Sequence, residues 1–137
     1  MGLRLLFDVT GHPINTDALG KDLREMAARM GVAVVCFDPL TDAELAKFFK
    51  KSEPISGGKY ANATARFVTV VAARRLRWHD VGQVTDELTW TARKPHDESG
   101  SYQAVRANDD RPITAALAAI RAVWLASGPK PAVPKVM

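Results

Sequence analysis

The first part of the chain alternates between apolar segments typical of strands and segments with helical periodicity. Its opening apolar residues predict a short strand that ends before Pro13. Apolar positions spaced i, i+4, i+7 and i+11 then predict a helix that Thr16 or Asp17 caps and Gly31 ends. The continuous apolar run 32–37 predicts a strand covered on both faces, as in the middle of an α/β sheet.

The rest of the chain predicts further helices and one hairpin. The elements expected in chain order are a helix opened by the capping box 41–44, a loop or short strand over 54–60, a helix over 62–73, a brief strand at 76–78, a short helix or turn over 81–91, hairpin arms at 91–93 and 102–106, and a final helix from about Pro112. A proline-rich tail, 128–137, is expected to be unstructured. The pattern predicts a small α/β or α+β domain over 1–127.

Composition places the chain among soluble globular proteins. It has 137 residues, of which 47% are hydrophobic and 25% charged, so disorder of the bulk of the chain is excluded. No apolar run is long enough to cross a membrane. Because Cys36 is the single cysteine, neither an internal disulfide framework nor a cysteine-based zinc site can form, which favours a reducing, intracellular setting.

Carboxylates at predicted element ends are the first candidates for chemistry. Asp38 follows the buried strand, where ligands of α/β sheets gather, although an Asp-Pro turn explains it equally. Asp109 and Asp110 precede the last helix, so one of them can cap it or place a favourable charge near its N-terminus, and the other can contribute to a Mg²⁺ site. Asp8, near the end of the first strand, is either a third acid at the same place or a turn residue.

Basic residues suggest a polyanionic partner. The formal net charge is +4, and the densest stretch is 74–78. Either these side chains form a solvated surface or they neutralise a nucleic-acid backbone. The residues predicted to contact DNA are Lys59, Arg66, Arg74, Arg75, Arg77, Arg93 and Lys94. No phosphate-binding loop of the GxxxxGK[ST] type and no GxSxG or HExxH motif occurs, which argues against an ATPase or a serine hydrolase.

Several segments, taken in order, resemble the large terminase subunits of tailed bacteriophages. They are Gly58-Lys59-Tyr60-Ala61-Asn62-Ala63, Arg66-Phe67-Val68, Arg75-Leu76-Arg77-Trp78, 88–95 and 109–117. The resemblance runs from about Gly31 to Ser127 and implies a ribonuclease H-like nuclease domain, a mixed sheet flanked by helices, that cuts concatemeric DNA during packaging. The ATPase domain of complete terminases has no counterpart in this sequence, so we expect a C-terminal piece of such a protein.

The resemblance also implies a metal site. Asp38 and Asp110, or Asp109 in place of Asp110, would bind Mg²⁺ or Mn²⁺ in a two-metal arrangement that aligns a water for attack on a phosphodiester. Asp8 belongs either to a shortened first strand or to the last strand before the first helix. In the second case the first catalytic acid is missing, and the chain is a catalytically incomplete DNA-binding module.

The same resemblance implies partners and a location. Double-stranded DNA is the expected substrate, and the terminase ATPase domain, the small terminase subunit and the portal are the expected protein partners. The chain is expected to act in the cytoplasm of a bacterial host, encoded by a phage or prophage, and without a membrane partner.

Overall fold

The computed structural model describes residues 6–7, 13–76 and 82–127, which form a mixed α/β structure. In chain order the elements are β1 (Leu6–Phe7), β2 (Pro13–Ile14), α1 (Thr16–Arg29), β3 (Val35–Phe37), α2 (Ala43–Ala46), β4 (Ser52–Pro54), α3 (Gly57–Ala72), α4 (Gly82–Thr89), β5 (Thr91–Pro95), β6 (Tyr102–Arg106) and α5 (Thr114–Ala126). The described strands pair two by two, as β1 with β2, β3 with β4 and β5 with β6.

The contacts within the chain define two compact units, Met1–Pro54 (unit 1) and Ile55–Met137 (unit 2). The expectation of one domain over 1–127 stays a prediction, and the tail 128–137 lies outside the described residues. No helix in the described part of the chain is both long and apolar enough to cross a membrane.

Helix α1 of unit 1 has well-formed ends. The side chain of Asn15 accepts a hydrogen bond from the backbone nitrogen of Ala18 at 3.1 Å, so the predicted caps Thr16 and Asp17 are wrong by one or two residues. Gly31, with φ +67°, ends the helix as predicted. Its N–H and that of Val32 donate to carbonyls of the last turn, which is the Schellman arrangement that favours glycine.

Strands β3 and β4 of unit 1 pair in parallel, with Val35 opposite Ser52 and Phe37 opposite Pro54. A parallel pair needs a crossover connection, and the segment containing α2 provides it. A strand was predicted over 32–37, but β3 has only the last three of these residues, and they are half-buried. The capping box at 41–44 is also wrong, since the cap residue of the four-residue helix α2 is Asp42 and makes no side-chain bond.

Unit 2 packs helix α3 against the β5–β6 hairpin and against α5. Tyr60 donates its hydroxyl hydrogen bond to the carbonyl oxygen of Ala104 at 2.7 Å, and Thr64 accepts from the nitrogen of Ala104 at 3.3 Å. Both α3 side chains are buried, and their two hydrogen bonds join α3 to β6, which also pairs with β5. Ile113 and Ile120 are almost completely buried in the core of this unit.

The hairpin and α4 are confirmed close to their predicted positions, but two helix starts in unit 2 are wrong. Helix α3 begins at Gly57 rather than near residue 62, because burial of Tyr60 and Ala61 outweighs the low helix propensity of the two glycines. Helix α5 begins at Thr114 rather than Pro112. The brief strand predicted at 76–78 lies largely outside the described residues.

Candidate functional site

Asp38 lies directly after β3, at the carboxyl end of this parallel strand. Its Oδ1 accepts a hydrogen bond from the backbone nitrogen of Leu40 at 2.9 Å, and its carbonyl oxygen accepts from Asp42 at 2.8 Å. The carboxylate is therefore part of the Asp-Pro turn that leads into α2, and the residue is half-buried. This turn geometry does not distinguish between the two interpretations of Asp38, as a turn former and as a cation ligand.

Asp109 and Asp110 lie in an exposed turn of unit 2, between β6 and α5. The side chain of Asp109 is fully exposed, and its Oδ1 lies 3.6 Å from a guanidinium nitrogen of Arg106. Neither residue caps α5. The backbone nitrogen of Ala116, in the first turn of this helix, donates a hydrogen bond instead to the carboxylate of Glu87 from α4. The helix-cap interpretation of the two adjacent acids is thus wrong.

No group of three or more His, Cys, Asp or Glu side chains that could hold a metal ion occurs in the described ranges. Asp8, the third predicted acid, lies outside them. Asp38 belongs to unit 1, and Asp109 and Asp110 belong to unit 2. Carboxylates are the ligand type that Mg²⁺ prefers, so the donor chemistry fits although its assembly stays a prediction.

Four of the predicted DNA-contacting residues lie on or just after α3 and differ in their surroundings. Lys59 is exposed in the first turn of the helix. Arg66 donates from its guanidinium to the carbonyl oxygen of Ser127 at 2.7 Å and lies 5.3 Å from the ring centroid of Trp124. Arg66 therefore stabilises the C-terminal end of α5. Arg74 and Arg75 are exposed after the last turn of α3, and Arg77 lies outside the described residues.

The hairpin carries a second group of exposed cations, which we call the hairpin cations: Arg93, Lys94 and Arg106. The register pairs Arg93 with Ala104 and Thr91 with Arg106, so Arg93 and Arg106 are diagonal neighbours on one face, while Lys94 lies on the other. The guanidinium of Arg93 covers the ring of Tyr102 at 4.5 Å. Arg106 was not among the residues predicted to contact DNA, because the register that places it beside Arg93 is a property of the folded hairpin.

The hairpin also lies beside the first turn of α3. The side-chain amide of Gln103 donates to the carbonyl oxygen of Gly57 at 2.9 Å. Lys59 is thus exposed on the helical turn that contacts the hairpin. The cationic side chains of this region come from two elements that hydrogen bonds hold together.

Charge is unevenly divided between the two units. Residues 55–137 contain 12 Lys and Arg against 7 Asp and Glu, a net charge of +5, whereas residues 1–54 contain 7 against 8, a net charge of −1. Apart from Arg121, which is 7% exposed and donates to the carbonyl oxygen of Ile55, the described Lys and Arg side chains of unit 2 are exposed. The net positive charge is therefore carried by residues 55–137, and the described cations of this unit other than Arg121 are exposed.

Comparisons with protein-family models, with curated proteins and with solved structures find no match for this chain.

Proposed function

We propose that this chain binds double-stranded DNA through unit 2, as a module of phage DNA packaging related to the nuclease domain of large terminase subunits. The observation that supports the proposal is the net charge of +5 on residues 55–137, with Lys59 and the hairpin cations exposed on adjoining elements. Such a surface neutralises phosphates, releases counterions and binds with little dependence on base sequence. The terminase ATPase domain, the small terminase subunit and the portal remain the proposed protein partners, and the cytoplasm of the host the proposed location.

The test is the salt dependence of binding to a duplex DNA fragment. Replacement of Lys59, Arg93 and Lys94 together by Gln is expected to weaken binding and to make the slope of log K against log salt shallower by about 2–3, because each neutralised phosphate contributes about 0.9. The matched control replaces Arg24, Arg29 and Lys50 of unit 1, which are also exposed, and removes the same charge. Equal weakening by both triple variants would show that net charge alone acts, and would overturn the assignment to unit 2.

A second candidate is the complete nuclease, with a ribonuclease H-like fold and a divalent-metal site. The position of Asp38 at the carboxyl end of the parallel strand β3 favours it, since ligands of α/β sheets collect at that edge. A bound Mg²⁺ or Mn²⁺ would supply an activated water and stabilise the leaving oxygen. On this proposal Asp38 and Asp110, or Asp109, hold the metal, and Asp8 provides a third acid if it belongs to the site.

Nicking of supercoiled plasmid tests the second candidate. With Mn²⁺ present, Asp38→Ala and Asp110→Ala are expected to abolish nicking, whereas Asp22→Ala, an exposed acid on α1, is expected to retain it. Circular dichroism checks that each variant is folded. DNA binding with no cleavage at any Mn²⁺ concentration would exclude the nuclease and leave the DNA-binding module.

A further inference from the structure

Unit 2 contains a small, partly open cavity between the hairpin, α3 and α5. Its volume is about 170 Å³. The buried side chains of Phe67 and Ile120 line it, together with Val68, which is 39% exposed. Tyr102 and Arg93 of the hairpin line it as well. The cavity thus has apolar and aromatic walls and includes one exposed cationic side chain.

The dimensions of the cavity limit what it can hold. An apolar protein cavity of about 150 Å³ binds benzene, so a volume of this size accepts one six-membered ring. A ring that enters would meet the aromatic side chains of Phe67 and Tyr102, and planar rings stack favourably on such side chains. A single flat ring is therefore the shape that fits.

The charge next to the cavity indicates which kind of ring-containing ligand would bind there. Arg93 is exposed at the cavity, and its guanidinium lies 4.5 Å from the ring of Tyr102. Arg106 shares the face of Arg93. A ring attached to a phosphate backbone can pack against the apolar walls while its phosphate pairs with the cationic side chain. An isolated apolar ring can make only the first of these contacts.

We propose that this cavity takes one unpaired pyrimidine base of single-stranded DNA, while Arg93 binds the adjacent phosphate. The base stacks against Tyr102 and Phe67, and the guanidinium of Arg93 binds the backbone, which is the combination used by proteins that bind single strands. The inference rests on the proposed DNA-binding function and adds a preference for an exposed base. Duplex DNA does not present such a base, so the two kinds of binding can be measured separately.

The experiment measures fluorescence anisotropy of the full chain with three labelled probes: oligo-dT, an abasic oligomer with the same number of phosphates, and a duplex. Oligo-dT is expected to bind at least about fivefold more tightly than the abasic oligomer, since the stacking of one base on an aromatic side chain has an effect of this size. The abasic probe keeps the backbone charge and removes only the base. Equal affinity for the two single strands, with duplex binding retained, would overturn this inference and leave the proposed function standing. Absence of binding to all three probes would overturn both.

Two matched variants test whether the base binds in this cavity. Val68→Phe fills the cavity from α3 and is expected to lower oligo-dT affinity to the abasic level. Val71→Phe makes the same change on the same helix, at a side chain of similar exposure (37% against 39%) that does not line the cavity, and is expected to keep the difference. Loss of the difference in both variants, or in neither, would contradict the proposed site. Thermal unfolding compares their stability, and the probe comparison on the unsubstituted chain stands without them.

Discussion

The carboxylate of Glu87 accepts a hydrogen bond from the backbone nitrogen of Ala116 at 2.7 Å. Glu87 is 3% exposed on α4, and Ala116 lies in the first turn of α5, where N–H groups have no partner within the helix. The cap residue Ile113 has no side-chain acceptor, so an acid distant in sequence takes over the role. Its negative charge is also favourable at the positive end of the helix dipole.

Removal of this capping carboxylate is expected to destabilise the protein. Glu87→Ala leaves the buried N–H of Ala116 without its acceptor and is expected to lower the free energy of unfolding by about 1–3 kcal/mol. Glu98→Ala removes the same group from the exposed hairpin turn and is the control. Urea unfolding measures both, and coincident transitions for the two variants would show that the cap contributes nothing.

The hydroxyl of Thr64 connects α3 to the hairpin. It donates to the carbonyl oxygen of Tyr60 at 3.0 Å and accepts from the nitrogen of Ala104 at 3.3 Å, and the residue is 3% exposed. Thr64→Val keeps the shape, removes both bonds and is expected to cost about 1–2 kcal/mol. Thr69→Val removes a hydroxyl that bonds only within the same helix at an exposed position, so its effect is expected to be near zero. A loss of stability in Thr69→Val as large as that in Thr64→Val would contradict the connecting role.

The close contact between Gly20 and Phe48 makes Gly20 sensitive to any added side chain. A Cβ built at Gly20 would overlap the ring of Phe48, so Gly20→Ala forces this ring to move. Overpacking of this kind costs about 1–3 kcal/mol. Gly82→Ala is the control, because no heavy atom lies within 4 Å of a Cβ at the first position of α4. In the Phe48→Ala background the Gly20→Ala substitution is expected to be harmless, and thermal unfolding of Gly20→Ala, Phe48→Ala, the double variant and Gly82→Ala tests the pair.

Arg74 follows α3 with φ +55°, the left-handed conformation in which glycine is preferred. Its N–H and that of Arg75 donate to the carbonyls of Val71 and Val70, so the turn is the same Schellman arrangement as at Gly31. Arg74→Gly is expected to stabilise the protein by about 1 kcal/mol by removing this strain. Arg75→Gly is not expected to stabilise. If Arg74 also contacts DNA, Arg74→Gly raises the unfolding midpoint and weakens duplex binding, a combination that a purely structural residue would not produce.

The hairpin turn holds Asp97 in its charged form. Hydrogen bonds from the side chains of Ser99 and Ser101 lower the pKa of Asp97 from its ordinary value of 3.8. Because the pKa in the folded protein is depressed, any stability it contributes is present above pH 3.8 and is lost as the pH falls through the lower folded value. Carboxyl-carbon NMR is expected to show that Ser99→Ala raises this pKa toward 3.8. An unchanged titration would mean that the hydrogen bond from Ser99 has no effect.

Local chemistry was sufficient to predict part of the fold. Gly31 ends α1 as expected, because a left-handed residue after a helix favours glycine whatever surrounds it. The hairpin arms were also found, since alternating residues on both sides of a polar turn are a local signal. The start of α3 was missed because it depends on the burial of Tyr60 against β6, and β6 is more than 40 residues away in the chain.

The candidate site, like the fold, could be predicted from the sequence only in part. Basic residues cluster in the second half of the chain, and an acid follows the apolar run 32–37. Both are properties of the sequence and could be read from it directly. Which of these cations makes contacts within the fold was decided by packing. Arg66 and Lys94 are both exposed, and the hydrogen bond from Arg66 to the carbonyl of Ser127, 61 residues away, is not revealed by its neighbours in the sequence.

The sequence by itself determined where backbone conformation changes and how much charge each segment carries, because both depend on residues next to one another. Only the tertiary structure decided that Glu87 caps α5, that Asp109 and Asp110 do not, and that Tyr102 and Phe67 line one cavity. Hydrogen bonds and apolar walls of this kind join groups from different elements. Their partners are chosen by how the elements pack together, which no local pattern records.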